Sequence, residues 1–272
     1  MTNIFKTISL IFLTSGSVFA DQPKNWQLGF QNPASTGMEE IVWFHDYMLL
    51  PITTAITVFV LFLILYACVK FRASKNKIAS TTSHNTTVEV LWTLIPCLIL
   101  IVLAVPSFKL LYEQDTIPKA DVTIKATGYQ WYWGYEYVDH GFGFESVMLQ
   151  KDELADYGYA PDEYLLATDT AVVVPVNATI VMQLTGADVI HSWTIPAFGV
   201  KQDAVPGRLA ELWFSAEKEG IYFGQCSELC GQAHAYMPIT VKVVSQAQYD
   251  AWLSGAIDEY AGIPQFVQLA SN

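Results

Sequence analysis

Thr170-Ala-Val-Val-Val-Pro-Val176 and, two residues on, Thr179-Ile-Val-Met-Gln-Leu184 are short β-branched runs parted by Asn177-Ala178. Val, Ile and Thr lose side-chain freedom in a helix and pack well on a pleated surface. Runs of this kind recur on either side: Val122-Thr-Ile-Lys-Ala126 before, and Glu211-Leu-Trp-Phe-Ser215, Gly220-Ile-Tyr-Phe-Gly224 and Ile239-Thr-Val-Lys-Val-Val244 after. Gly, Pro, Asn and Asp separate them. That pattern predicts an all-β sandwich or barrel over residues 113–250. Residues 140–168, acidic and rich in Gly and Tyr, are expected as an insertion on its surface. A short amphipathic helix carrying Tyr249, Trp252 and Leu253 should follow Gln246, with 251–272 forming a loose tail.

Upstream the pattern changes. Leu49 to Val69 holds no charged residue over 21 positions, and Val90 to Phe108 none over 19. About 20 apolar residues cross the hydrocarbon core as a helix, so residues 45–112 predict a membrane hairpin with helices at about 48–71 and 89–110. Pro51, Pro96 and Pro106 lie towards the span ends, where a missing hydrogen bond is tolerated. The connecting loop carries Lys70, Arg72, Lys75 and Lys77 and no acid before Glu89. The positive-inside rule places that loop in the cytoplasm or an organelle matrix, and both mature ends outside. Residues 1–20 have the form of a secretory signal: Lys6, the apolar run Ile8 to Leu13, and Val18-Phe19-Ala20 before a cleavage point. Residues 21–44 would then be an outward-facing N-terminal segment.

Charge follows the same division. The chain of 272 residues carries a formal charge of −12. From Glu113 onward there are 21 acids against seven basic residues, whereas the first 112 residues are close to neutral. Such acidity repels nucleic acid phosphates and favours a basic protein partner.

Of four cysteines, Cys68 and Cys97 sit in apolar runs and are expected to be small buried hydrophobes. Cys226 and Cys230 are different. They stand in Cys226-Ser-Glu-Leu-Cys230-Gly-Gln-Ala-His234-Ala-Tyr-Met237, with Ile190-His191-Ser-Trp193 upstream. Two thiols, a thioether and two imidazoles make a soft donor set, which selects copper, zinc or iron–sulfur clusters, and the methionine points to copper. A blue-copper site needs one cysteine, two histidines and a weak axial methionine. The second cysteine makes two bridged metal ions the economical reading, against a plain disulfide.

The stretch from Cys226 to Pro238 resembles the CuA motif of the subunit II family of cytochrome c oxidases. So do Gly128-Tyr-Gln-Trp-Tyr-Trp-Gly-Tyr-Glu-Tyr137, Asp203-Ala-Val-Pro-Gly-Arg208 and Val88-Glu-Val-Leu-Trp-Thr-Leu-Ile-Pro96. The likeness runs from about Glu40 to Asp250 and implies two membrane helices followed by a cupredoxin domain, in the alphaproteobacterial or mitochondrial form of the family. It implies that Cys226 and Cys230 bridge two coppers, that His191 and His234 each cap one, that Met237 binds weakly and that Glu228 binds through its backbone carbonyl. It further implies that the Glu228 side chain holds magnesium shared with subunit I. Trp131 would receive electrons from cytochrome c, Glu136, Glu145, Asp169 and Asp188 would steer that partner, and Glu89 would mark a proton-path entrance. Tyr129 departs from the family, where His often precedes the Gln-Trp-Tyr-Trp run.

The resemblance therefore implies the electron-input subunit of a respiratory oxidase, working with subunit I (haems a and a3, CuB), further oxidase subunits and membrane lipid. Oxygen reduction and proton pumping would belong to the partner. The signal and insertion favour a bacterial inner membrane with a periplasmic C-terminal domain, the alternative being a mitochondrial inner membrane. A membrane-tethered copper chaperone or thiol–disulfide protein is the competing reading, though it usually has one anchor and a βαβ pattern. A copper-free quinol-oxidase subunit would require loss of ligands that are all present.

Overall fold

The computed structural model describes residues 20–78 and 80–260; the expected signal over 1–20 falls almost wholly outside them, as does the end of the tail. Two compact units emerge, one of Glu40–Glu113 and one of the residues up to Glu39 together with those from Gln114.

The helical unit is built from α1 (Thr36–Lys70) and α2 (Thr86–Asp115), both long and apolar enough to cross a membrane. At 1.5 Å per residue they measure about 52 and 45 Å, more than a hydrocarbon core of about 30 Å. No residue of Leu50–Lys70 or of α2 is buried by the chain itself. Cys68 and Cys97 are accordingly exposed, and the expected burial fails: only lipid or another subunit could cover those positions. Both helices outrun the expected limits because their caps lie further out. Ser35 Oγ accepts from Met38 N (3.1 Å) at the start of α1. At the start of α2, Asn85 Oδ1 accepts from Val88 N (3.2 Å), and Glu89 Oε1 accepts from Asn85 N (3.2 Å). Pro96 and Pro106 consequently fall inside α2. Pro51 has no N–H to give, and the turn before it, His45–Leu49, is wound as a wider π turn. Lys109 pairs with Glu40 (3.3 Å) and Glu113 (3.4 Å).

The second unit is all-β, as its β-branched runs require. Its strands are β1 (Ala20–Asp21), β2 (Val122–Tyr129), β3 (Tyr132–Tyr137), β4 (Phe142–Ser146), β5 (Val172–Pro175), β6 (Ile180–Gly186), β7 (His191–Ile195), β8 (Val200–Ala204), β9 (Ala210–Phe214), β10 (Gly220–Gln225) and β11 (Pro238–Val244). One sheet has the order β1-β10-β11-β5, another β4-β3-β2-β6-β9, and β7-β8 form a ribbon. Register decides what lies inside. Ile124 pairs with Tyr137 and Met182, and Met182 with Leu212, so one face of the five-stranded sheet is apolar throughout. Those residues join Val172, Val174, Val241, Val243 and Tyr222 of the other sheet in one buried core. Rings fill it: Phe198 lies 4.7 Å from Phe214 and 4.8 Å from Tyr222.

Two expectations need correction. Residues 140–168 do not form a simple surface insertion. They begin in β4, whose Phe142 and Phe144 are core residues because they alternate inward opposite Tyr137 and Tyr135. The remainder buries Leu149, Leu154, Tyr159 and Ala167 against Phe223, a second small core. The helix after Gln246 also outlasts the boundary placed at 250. As α3 it spans Gln246–Glu259, starts on a reciprocal Ser245/Gln248 cap, and packs Trp252 5.2 Å from Tyr137.

Candidate metal centre

Strands β10 and β11 pair down to Gln225 opposite Pro238, so residues 226–237 are the loop closing that hairpin. Its neck is tied by Cys226 N donating to Met237 O (3.3 Å). Histidine 191 arrives from a different element, at the first position of β7, where Ser227 N donates to Ser192 O (2.9 Å). Two glycines make the approach possible. A Cβ on Gly224 would stand 1.8 Å from Thr194 O, and one on Gly128 would stand 2.7 Å from the His191 ring.

The donor atoms expected from the sequence are brought together. Cys226 Sγ and Cys230 Sγ lie 3.9 Å apart, both buried and both free. A disulfide would hold them at about 2.05 Å. Two thiolates on one tetrahedral ion at about 2.3 Å would be separated by about 3.8 Å, so the observed spacing fits a shared metal. Each sulfur has its own imidazole: His191 Nδ1 is 3.8 Å from Cys226 Sγ, and His234 Nδ1 is 3.4 Å from Cys230 Sγ. Met237 Sδ is 3.5 Å from Cys230 Sγ, and Glu228 O is 3.4 Å from Cys226 Sγ. Among the described residues, His191, Cys226 and Cys230 form a triad whose donor atoms all lie within 4.8 Å of one another, and His234 sits at the Cys230 end. The cluster is thus two-ended, and its soft donors fit copper.

Electrostatics separates the two thiols. Burial raises the Cys226 pKa, but hydrogen bonds involving His191 and the Glu228 and Ser192 backbone outweigh it, bringing the group down to about 7. Burial, and then the neighbouring Cys226, push Cys230 up to about 12. Burial disfavours charge on His191, yet Cys226 and Asp188 more than compensate, and its pKa is raised.

Around the centre the other expected residues are divided. Trp131 lies beside the copper-type loop, with its indole Nε1 donating to Cys230 O (3.2 Å). Gln130 Nε2 donates to the same carbonyl (2.7 Å), a link the sequence reading did not contain. Asp188 accepts from His191 Nε2 (2.8 Å), Val189 N (2.6 Å) and Gln130 N (2.8 Å). Glu145 is exposed on the outer face of the five-stranded sheet. Glu136 shares that face but is mostly covered and paired with Lys125 (3.4 Å). Asp169 is turned into its own loop, accepting from Val147 N (2.8 Å) and Thr170 N (2.7 Å), and burial raises its pKa despite those bonds. Glu228 is exposed. Glu89 belongs to the helical unit, where its Oε1 accepts from Asn85 N at the start of α2 (3.2 Å). Three exposed apolar residues flank the ligands in sequence: Ile190, Leu229 and Tyr236. The glycines and Gln130 were missed as site residues although Gly128-Tyr-Gln130 stands in a quoted motif, because a packing constraint has no chemical signature.

Comparison with known proteins gives a consistent answer. Residues 122–244 match the family model for the periplasmic domain of cytochrome c oxidase subunit II, and residues 23–110 match that for its transmembrane domain. Cytochrome c oxidase subunit 2 of Cereibacter sphaeroides is 55% identical over 249 residues, 86% of this chain and 82% of that one. A probable cytochrome c oxidase subunit 2 of Rickettsia bellii is 47% identical over 274 residues, 100% of this chain and 99% of the relative. Among solved structures, the periplasmic domain of subunit II of cytochrome oxidase (CoxB) of Bradyrhizobium japonicum is 51% identical with a TM-score of 0.49, covering 54% of this chain and 100% of that domain.

Proposed function

Because the chain belongs to the cytochrome c oxidase subunit II family, and so to an oxidoreductase complex, we propose that it is the subunit through which electrons enter that complex from cytochrome c. The observation that carries this reading is the pair of free thiols 3.9 Å apart with one imidazole beside each. Held by Cys226, Cys230, His191, His234, Met237 and the Glu228 carbonyl, a pair of coppers would supply a one-electron site whose charge change is spread over several bonds. The chain's own contribution is rigidity: the ligands hang on strand β7 and on one loop tied at its neck between β10 and β11, and all but His234 and Glu228 are buried.

Entry at Trp131 is supported by the indole N–H bonded to Cys230 O, which gives a short connection from a partly exposed ring to a bridging cysteine. Glu145 and Glu136, with Asp169 and Asp188 as the other candidate acids, would attract a basic cytochrome and mainly raise its association rate. The exposed Ile190, Leu229 and Tyr236 suit a protein partner at the same end. On the far side of the relay, subunit I would take the electron to haem a for oxygen reduction and proton pumping. The Glu228 carboxylate would share a magnesium ion with it, and Glu89, fixed at the start of α2, would open a proton path into it. In this reading residues 1–20 are a cleaved signal, followed by an outer segment up to about residue 35, the membrane hairpin of α1 and α2, and a CuA domain that runs on through α3 to Glu259. The membrane is the bacterial inner one, or the mitochondrial inner membrane in the alternative.

Measuring electron transfer from reduced cytochrome c in a purified oxidase carrying Cys226→Ala tests the reading. Transfer should fall at least about 100-fold, more than for loss of a residue that only supports a ligand. A small artificial donor should still reduce the haems. Full-rate oxidation of cytochrome c by that variant would overturn it.

A further inference from the structure

Among the acids around the site, Asp188 differs from Glu145 in what its oxygens do. Oδ1 lies 2.8 Å from His191 Nε2 and also accepts from Val189 N, while Oδ2 accepts from Gln130 N. Three donors from three residues therefore fix one carboxylate against an imidazole whose side chain is 0% exposed. Such a carboxylate can bond Nε2 only if that nitrogen carries the proton. The other ring nitrogen, Nδ1, is then left as an acceptor, and it is the one facing Cys226 Sγ at 3.8 Å. Two further constraints act on the ring: Gly128 leaves it no slack, and Trp133 meets it edge-on at 5.9 Å.

We propose that Asp188 is a positioning residue for the metal centre, fixing the tautomer and orientation of His191 and strengthening it as a ligand. A carboxylate that accepts from a ligating imidazole makes the coordinating nitrogen more electron-rich, which favours the oxidised metal. Gln130 N extends the same arrangement to the tip between β2 and β3, so the peptide next to Trp131 is tied to His191 through Asp188 and to Cys230 through the Gln130 side chain. Asp188 is held by His191 and two backbone N–H groups, whereas the exposed Glu145 has a side-chain hydrogen bond with Tyr132 and, among the described residues, none with a ligand. Steering a cytochrome requires only its charge; positioning His191 requires its acceptor atom.

This inference rests on the copper reading above, and the experiment keeps the two apart. Purified oxidase complexes carrying Asp188→Asn, Asp188→Ala and Glu145→Gln would be compared with the unaltered enzyme. The readouts are the copper redox potential, the exchangeable-proton hyperfine signal of a histidine ligand in H2O against D2O, and KM for cytochrome c. Asp188→Ala should raise the potential and remove or shift the exchangeable-proton signal. Asp188→Asn, which keeps an oxygen acceptor for Nε2–H, should fall between Ala and the unaltered enzyme. Glu145→Gln should change KM and leave both copper readouts alone. If Asn and Ala raise KM equally and leave potential and hyperfine signal unchanged, Asp188 acts by charge alone and the proposal is overturned. Absence of a copper signal in the unaltered enzyme would instead remove the copper reading itself.

Discussion

The two units of this chain solve opposite problems. Along α1 from Leu50 and throughout α2, no side chain is buried by the chain, and apolar residues such as Val105 and Phe62 point outward. In the β unit Trp133, Tyr135, Tyr137 and Trp193 are wholly covered. For the helices the surroundings supply the apolar medium, so composition is enough and many sequences would serve. The β unit must make its own interior and hold six donor atoms within a few ångströms, so individual positions matter. A substitution that one unit absorbs should disable the other.

The largest contrast is expected at Gly224. Replacing it with Val places new carbons on Thr194 O, 1.8 Å from an ideal Cβ, and β10 must leave β7. The β unit should lose at least about 3 kcal/mol, at the upper end of overpacking, together with its bound copper. Val105→Ala on the outer surface of α2 should change stability by less than about 0.5 kcal/mol. Chemical unfolding and copper content check both; equal tolerance at the two positions would erase the distinction.

Alkali should separate the units next. Burial raises Tyr135, Tyr137 and Tyr159 above the ordinary tyrosine range, and it pushes Tyr222, Tyr249 and Tyr260 up to about 12. In the unfolded chain these phenols ionise near pH 10, whereas the folded unit keeps them protonated. Unfolding then releases protons, so stability is fully present below about pH 10 and falls as pH rises above it. The phenolate absorbance of these six should appear only together with loss of near-ultraviolet circular dichroism, while helical signal in detergent persists. Titration of all 14 tyrosines at pH 10 with the fold intact would contradict the burial.

A smaller effect concerns the surface. Glu145→Gln should slow association with cytochrome c several-fold at low ionic strength and barely at high salt, because an exposed charge acts mainly on encounter. Stopped-flow rates against salt would show it; an effect undiminished by salt would mean that Glu145 makes a specific contact.

Legibility in the sequence followed the same division. Helices needed only an uncharged run, and their existence was plain in Leu49 to Val69, although their starts depended on Ser35 and Asn85, caps that hydropathy does not see. Six strands could be read from β-branched runs. The other five could not: β1, β7 and β8 stand in none of those runs, and in β3 and β4 the aromatic stretches Tyr132–Tyr137 and Phe142–Ser146 show their alternation only once register puts Phe144 opposite Tyr135. Ligand identities were legible because soft donors at that spacing have few other uses. What surrounds them was not: Asp188 read as a surface acid, and although it stands only three residues before His191, the turn that aims its carboxylate at the ring and the Gln130 N–H from the β2–β3 tip that holds it there appear only in the fold.

The central claim is that Cys226 and Cys230 bridge a pair of coppers. Copper per chain and the copper electron paramagnetic resonance of the purified chain test it together. Two coppers per chain, with hyperfine structure from one electron shared equally by two nuclei, is the predicted result. One copper per chain with the pattern of a single nucleus, or a Cys226–Cys230 disulfide with no bound copper, would contradict it.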